Sequence, residues 1–181
     1  MGPKLFISAE ARGWIDRLGL VAHPEGGYYR ETYRCLRTAG AEGLSEGFSG
    51  ARSLGTAIYY LLNGGEFSAW HRMTSDEIWH FYAGSSLLLY RIDAAGNLTE
   101  SLLGGAGHLL EQPQILVSAG TWMAARCSAQ DSYTLTGATV TPGFDFADFE
   151  MPVRENLLRR YPQHRAAIES LTREPSRTSR T

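Results

Sequence analysis

Apolar and polar positions alternate in short runs along most of the chain, and glycine-containing turns separate the runs. Residues 28–34 and 56–63 are rich in Tyr, Thr, Ile and Leu and read as strands. Asn63-Gly64-Gly65 then supplies a hairpin turn into a further strand-like segment, 67–71. The same rhythm continues through residues 77–82, 86–92, 98–103, 114–118, 122–126 and 133–140. Short strands recurring at intervals of roughly ten residues predict an all-β sandwich or barrel. Helical spacing is confined to the two ends. Trp14, Ile15 and Leu18 share one face of a helix over residues 8–18, which Gly19 ends. Pro152 and Pro162 precede two further helices, 156–161 and a second running to 171. Residues 36–52 lack a period and read as a mobile surface loop or lid, and 174–181 as a frayed tail. The expected organisation is one domain over residues 1–173 with flanking helices.

Composition narrows the partners. The chain has 181 residues and a 43% hydrophobic composition, enough for a well-buried core. Its formal net charge of −2 gives no global attraction to nucleic acid or to an anionic membrane, so neither is expected as a partner. No apolar run approaches bilayer length, and nothing near the first residue reads as a targeting segment. Two distant cysteines, Cys35 and Cys127, form neither a disulfide framework nor a zinc-finger pair. A cytoplasmic location is the expectation.

Candidate chemistry centres on residues 65–84, where His71 and Glu77 lie on consecutive strands. An imidazole and a carboxylate aimed into one cavity can move a proton or hold a divalent metal. Strand parity puts Ala69, His71 and Met73 on one face, and Glu77, Trp79 and Phe81 on another. A bulge near Asp76 would instead turn His80 and Tyr82 inward. Earlier, Tyr29 and Tyr33 flank Glu31, which suits either a pocket or a sheet edge beside an arginine. His23, His108 and His164 fall in turn, loop or helix context and carry no assigned chemistry.

Gly65, His71, Glu77 and Gly84 stand at the spacing of the first motif of the cupin superfamily, with Met73 where a second histidine belongs. The second motif keeps Gly120 and has Met123 at its histidine position. The stretches 23–32, 75–84, 119–122 and 142–146 resemble signatures of one uncharacterised cupin family, together covering roughly residues 14 to 160. The resemblance implies a cupin-type jelly-roll β-barrel, a homodimer, and an interior pocket for a small-molecule ligand. It places Glu77 inward, so Met73, Trp79, Phe81, Met123, Tyr29 and Glu31 are the expected ligand-binding residues. Thioethers are poor ligands for hard divalent metals, so any metal on His71 and Glu77 is expected to be weakly held.

Three functions compete. One is an isomerase- or epimerase-like enzyme on a sugar or nucleotide-sugar, with His71 as general base, Glu77 orienting it and a tyrosine as acid. Another is a non-catalytic small-ligand binding or sensing protein with a degenerate metal site. The last is a structural dimer with a vestigial pocket. The fold alone does not choose among them.

Overall fold

The computed structural model describes residues 7–44 and 47–173. The chain opens with helix α1 (Ala9–Leu18). The Ser8 hydroxyl caps it by accepting the Ala11 N–H at 3.1 Å, and Gly19 closes it in the left-handed conformation. Strands follow in the order β1 (Val21–Ala22), β2 (Tyr28–Arg34), β3 (Thr38–Ala39), β4 (Arg52–Ser53), β5 (Thr56–Asn63), β6 (Phe67–Met73) and β7 (Asp76–Gly84). Then come β8 (Leu87–Ile92), β9 (Leu98–Leu103), β10 (Glu111–Gln112), β11 (Gln114–Val117), β12 (Trp122–Cys127), β13 (Tyr133–Thr141) and β14 (Phe149–Glu150). Helices α2 (Arg154–Arg160) and α3 (Arg165–Ser170) end the described chain, joined by a 3-10 turn at Pro162–His164.

Two six-stranded sheets result, β1-β2-β5-β13-β7-β11 and β10-β9-β8-β12-β6-β14. Pairing is antiparallel throughout both, except that β10 runs parallel to β9. The alternation of side chains decides what each face meets. Tyr60, Leu62, Trp79, Ile115 and Val140 of the first sheet interlock with Met73, Leu87, Leu89, Leu103 and Met123 of the second. Intervening neighbours are apolar where helices cover a sheet from outside. Helix α1 packs Ala11 and Ile15 over Leu61, Tyr133 and Leu135 of the first sheet. Leu157, Tyr161, Ile168 and Leu171 of the C-terminal helices bury Trp70, Tyr90, Ile92 and Trp122 of the second. This is the all-β architecture with flanking helices that the alternation predicts, in the jelly-roll form that the resemblance implies.

Gly84 ends β7 at a φ of +90°, and a Cβ there would run into the Tyr133 carbonyl of β13, so glycine alone fits. Two expectations need correction. The described residues within 36–52 are not all loop: β3 pairs with β4, a 3-10 turn lies at Ala41–Gly43, and Arg52 is buried. The first C-terminal helix starts at Arg154, ahead of the predicted 156. The expected tail, 174–181, lies outside the described residues. No helix among the described residues is long and apolar enough to cross a membrane.

Candidate functional site

A cavity of about 460 Å³ lies between the sheets at one end of the barrel. Its walls come from β2 (Tyr29, Glu31, Arg34), β5 (Thr56, Ile58, Tyr60), β6 (His71, Met73), β7 (Glu77, Trp79) and β13 (Ala138, Val140). The turn after β1 adds His23 and Glu25, and the segment before β14 adds Phe144, Asp145 and Phe146, with Phe149 of β14 itself. The lining is largely apolar, with a few convergent polar groups.

Parity on β6 and β7 holds as the alternation predicts. His71 and Met73 face the cavity from one strand, Glu77 and Trp79 from the other, and all four are buried. His80 and Tyr82 point the other way. His80 sits between Thr139 Oγ1 at 3.0 Å and the Gln114 side-chain amide at 3.2 Å, and Tyr82 is half exposed. The bulge on β7 falls opposite Leu135 and Thr136, beyond the site. Phe81 and Met123 pack into the core between the sheets and do not line the cavity. Tyr29 and Glu31 do line it. Glu31 also meets the arginine that the sequence suggested: Arg34 donates to its two oxygens at 2.9 and 2.6 Å, at the exposed mouth.

The partner of His71 is Glu25, not Glu77. His71 Nε2 lies 3.2 Å from Glu25 Oε2, and Nδ1 lies 2.7 Å from the Ala69 carbonyl. A carbonyl only accepts, so Nδ1 carries a hydrogen and donates it. That leaves Nε2 turned to the carboxylate at ion-pair distance. The second Glu25 oxygen accepts the Ser68 hydroxyl at 2.8 Å. His71 and Glu77 form no ion pair with one another among the described residues.

Sequence reasoning passed over Glu25 and gave His23 no chemistry, since both lie in a turn. The signal was present in the double glycine. Gly26 and Gly27 have φ of +121° and +67°, and a Cβ on either would strike the backbone of Phe67 or Leu61. The turn therefore lies flat on β5 and β6. The Ala69 N–H donates to the Glu25 carbonyl at 2.9 Å and the Tyr60 hydroxyl to the Gly26 carbonyl at 2.8 Å. His23 Nδ1 accepts the Glu25 N–H at 3.3 Å, which leaves a hydrogen on Nε2. Burial lowers its pKa, more than the Glu25 charge raises it, so this ring is neutral near pH 7.

Glu77 is the exceptional group. It is 6% exposed, lines the cavity, and its Oε2 has no hydrogen-bond partner. Burial, and secondarily the charge of Glu25, push its carboxyl up to about 8. The Trp79 indole N–H, close enough to oppose that shift slightly, makes no hydrogen bond of regular geometry and is likewise unpartnered.

Over the mouth runs the strap 142–150, where Phe144 N donates to Thr56 Oγ1 at 2.9 Å and its carbonyl accepts Arg34 at 3.1 Å. Phe149 stacks on His71 with centroids 5.2 Å apart. Asp148 holds Arg52 in a buried two-point contact at 2.6 and 2.7 Å.

The donor set does not fit a divalent metal. Both nitrogens of His71 are engaged, its strand neighbour is a thioether, and no group of three or more His, Cys, Asp or Glu among the described residues is placed to hold an ion.

Comparison with known proteins places these features in context. Residues 12–152 match the family described as Cupin superfamily (DUF985). The X-ray structure of a Shewanella oneidensis protein is 41% identical, with a TM-score of 0.79 over 91% of this chain and 98% of that one. A hypothetical protein from Leishmania major is 34% identical, with a TM-score of 0.81 over 91% and 99%. Oxalate decarboxylase from Bacillus subtilis shares the fold alone, at 13% identity and a TM-score of 0.52 over 83% of this chain and 36% of that one. No curated protein matches the sequence.

Proposed function

This chain belongs to the cupin superfamily (DUF985), and from that premise we propose that it is an isomerase- or epimerase-like enzyme that moves a proton on a small polar molecule, with Glu77 as the exchanging group. One observation supports the reading above the rest: a buried carboxyl in the cavity wall with an unpartnered oxygen and a pKa of about 8. Leaving such a group unpaired costs stability, and it is worth keeping only where a ligand completes it. An acid poised near neutrality both accepts and returns a proton readily.

The expected roles of the two central residues are thereby exchanged. His71 has no free nitrogen for a substrate, since Ala69 and Glu25 occupy both. It and Glu25 are positioning residues, and the Glu25 charge helps hold the Glu77 carboxyl high. Glu77 in its ionised form would take a proton from a carbon next to a carbonyl and return it on the same face to the neighbouring carbon, or to the opposite face of the first carbon once the enolate has turned over in the cavity. Tyr29 and the Nε2 hydrogen of His23 are donors in the lining for the carbonyl oxygen.

The test needs no prior substrate. The protein is incubated in D₂O with a panel of aldoses, ketoses, amino sugars and nucleotide-sugars, and proton NMR follows loss of C–H signals beside carbonyls. One member should exchange, at a rate that rises with pH to a plateau above about 8. Glu77→Gln should slow it by about 10²–10⁴-fold, the usual worth of a general acid–base group. Saturable binding without exchange would assign the protein to the binding or sensing class instead, and exchange that survives Glu77→Gln would remove Glu77 from the mechanism.

A further inference from the structure

The charge and shape of the cavity specify more than a proton transfer. Its lining carries the carboxyl groups of Glu25, Glu31, Glu77 and Asp145 against one guanidinium, that of Arg34. Arg34 is committed to Glu31 and to the Phe144 carbonyl. Glu25 is engaged by His71 Nε2 at 3.2 Å and by the Ser68 hydroxyl. Asp145, at the rim, accepts the Ala147 N–H and lies in the field of Arg34 and Arg52. Glu77, deep in the cavity, forms no ion pair among the described residues, and its Oε2 has no hydrogen-bond partner. A diphosphate or a carboxylate entering here would find repulsion and no free cation.

The aromatic lining points the same way. Phe144, Phe146 and Phe149 have centroids 5.0 to 6.2 Å apart and interplanar angles of 68° to 79°, so their planes meet like three walls of a box corner. Trp79 and Tyr60 stand edge to face deeper in. Aromatic faces attract cations through the ring quadrupole, and most strongly where water is excluded.

We propose that the ligand of this cavity is a small organic ammonium cation, held by the Phe144–Phe146–Phe149 corner and by the unpartnered carboxyl of Glu77. The inference rests on Glu77 being the working group of the pocket, as in the function proposed above. It deepens that reading by replacing a nucleotide-sugar with an aminated small molecule.

Equilibrium binding tests it separately from turnover. Choline and its neutral isostere 3,3-dimethylbutan-1-ol are titrated into the full-length protein at pH 8.5 by calorimetry or ligand-observed NMR. Choline should bind at least tenfold more tightly than the alcohol. Glu77→Gln should bring the two affinities to within about twofold, and Phe146→Leu, a change at a half-exposed rim position, should lower the ratio severalfold without unfolding the protein. Equal affinities, a preference for the alcohol, saturable binding of neither probe, or a ratio indifferent to Glu77→Gln would each overturn the proposal. Deuterium exchange on an uncharged sugar combined with no choline preference would sink the cation and leave the proton transfer standing. Choline selectivity without exchange on any amino compound would do the reverse.

Discussion

Glu25 meets His71 and Ser68 through its two oxygens and has His23 Nδ1 3.7 Å away, all within a space almost closed to water. Removing one member of such a group differs from removing the charge. His71→Ala leaves a buried carboxylate without its imidazole neighbour, which costs about 3–5 kcal/mol. Adding Glu25→Gln to that variant should recover part of the loss, because a neutral amide needs no counter-charge and still accepts from Ser68. Urea unfolding of the two variants measures the difference, and a double variant no more stable than His71→Ala would show that Glu25 carries no charge to compensate. Parity grouped His71 with Met73 and Glu77 with Trp79, because a regular strand offers only two faces, and the cupin resemblance chose the inward one. It could not bring His23 and Glu25. A turn has no parity, and only the contact of Gly26 and Gly27 with neighbouring backbone fixes where its side chains go.

At the scale of elements, Tyr28–Arg34, Thr56–Asn63 and Leu98–Leu103 have the bounds that their alternation and turn residues predict. The two-residue strands β1, β3, β4, β10 and β14 carry no period and were illegible. The strap over the cavity was visible as an aromatic-acidic run, but its position depends on Arg52 and Asp148, 96 residues apart in the chain. No local pattern reports such a contact. It also makes the strap testable. Both side chains are largely covered, with 6% and 5% exposure, so Asp148→Ala strands a guanidinium and should destabilise the protein more than loss of an exposed pair does. Amide hydrogen exchange over residues 144–150 should quicken with it. The Arg34–Glu31 pair at the mouth is exposed at 44% and 38%, and Arg34→Ala should cost no more than about 1 kcal/mol. Equal losses from the two changes would mean that the strap is held by its phenylalanines and not by Arg52.

For the whole molecule, the cavity sets a pH dependence of stability opposite in sign to that of ordinary carboxylates. Glu77 rises on folding from 4.5 to about 8, so between those values the folded protein holds a proton that the unfolded chain has lost. Stability therefore falls as pH rises through that window, by about 1.4 kcal/mol per pH unit, and levels off above it. His23 acts in the contrary sense. Its pKa is lowered from 6.5, so its contribution is complete above 6.5 and is lost as pH drops below. The two oppose each other under mildly acidic conditions. From pH 6.5 to about 8 the Glu77 effect is free of that opposition. Thermal melts of the wild type and Glu77→Gln across pH 5 to 9 isolate the effect, since the amide cannot titrate. The variant should gain on the wild type steadily up to about pH 8 and hold a constant margin beyond it. A margin that does not change with pH would mean that Glu77 ionises as freely in the folded protein as in water. The barrel would then be an ordinary hydrated cleft at that point, and the proton transfer would lose its physical basis.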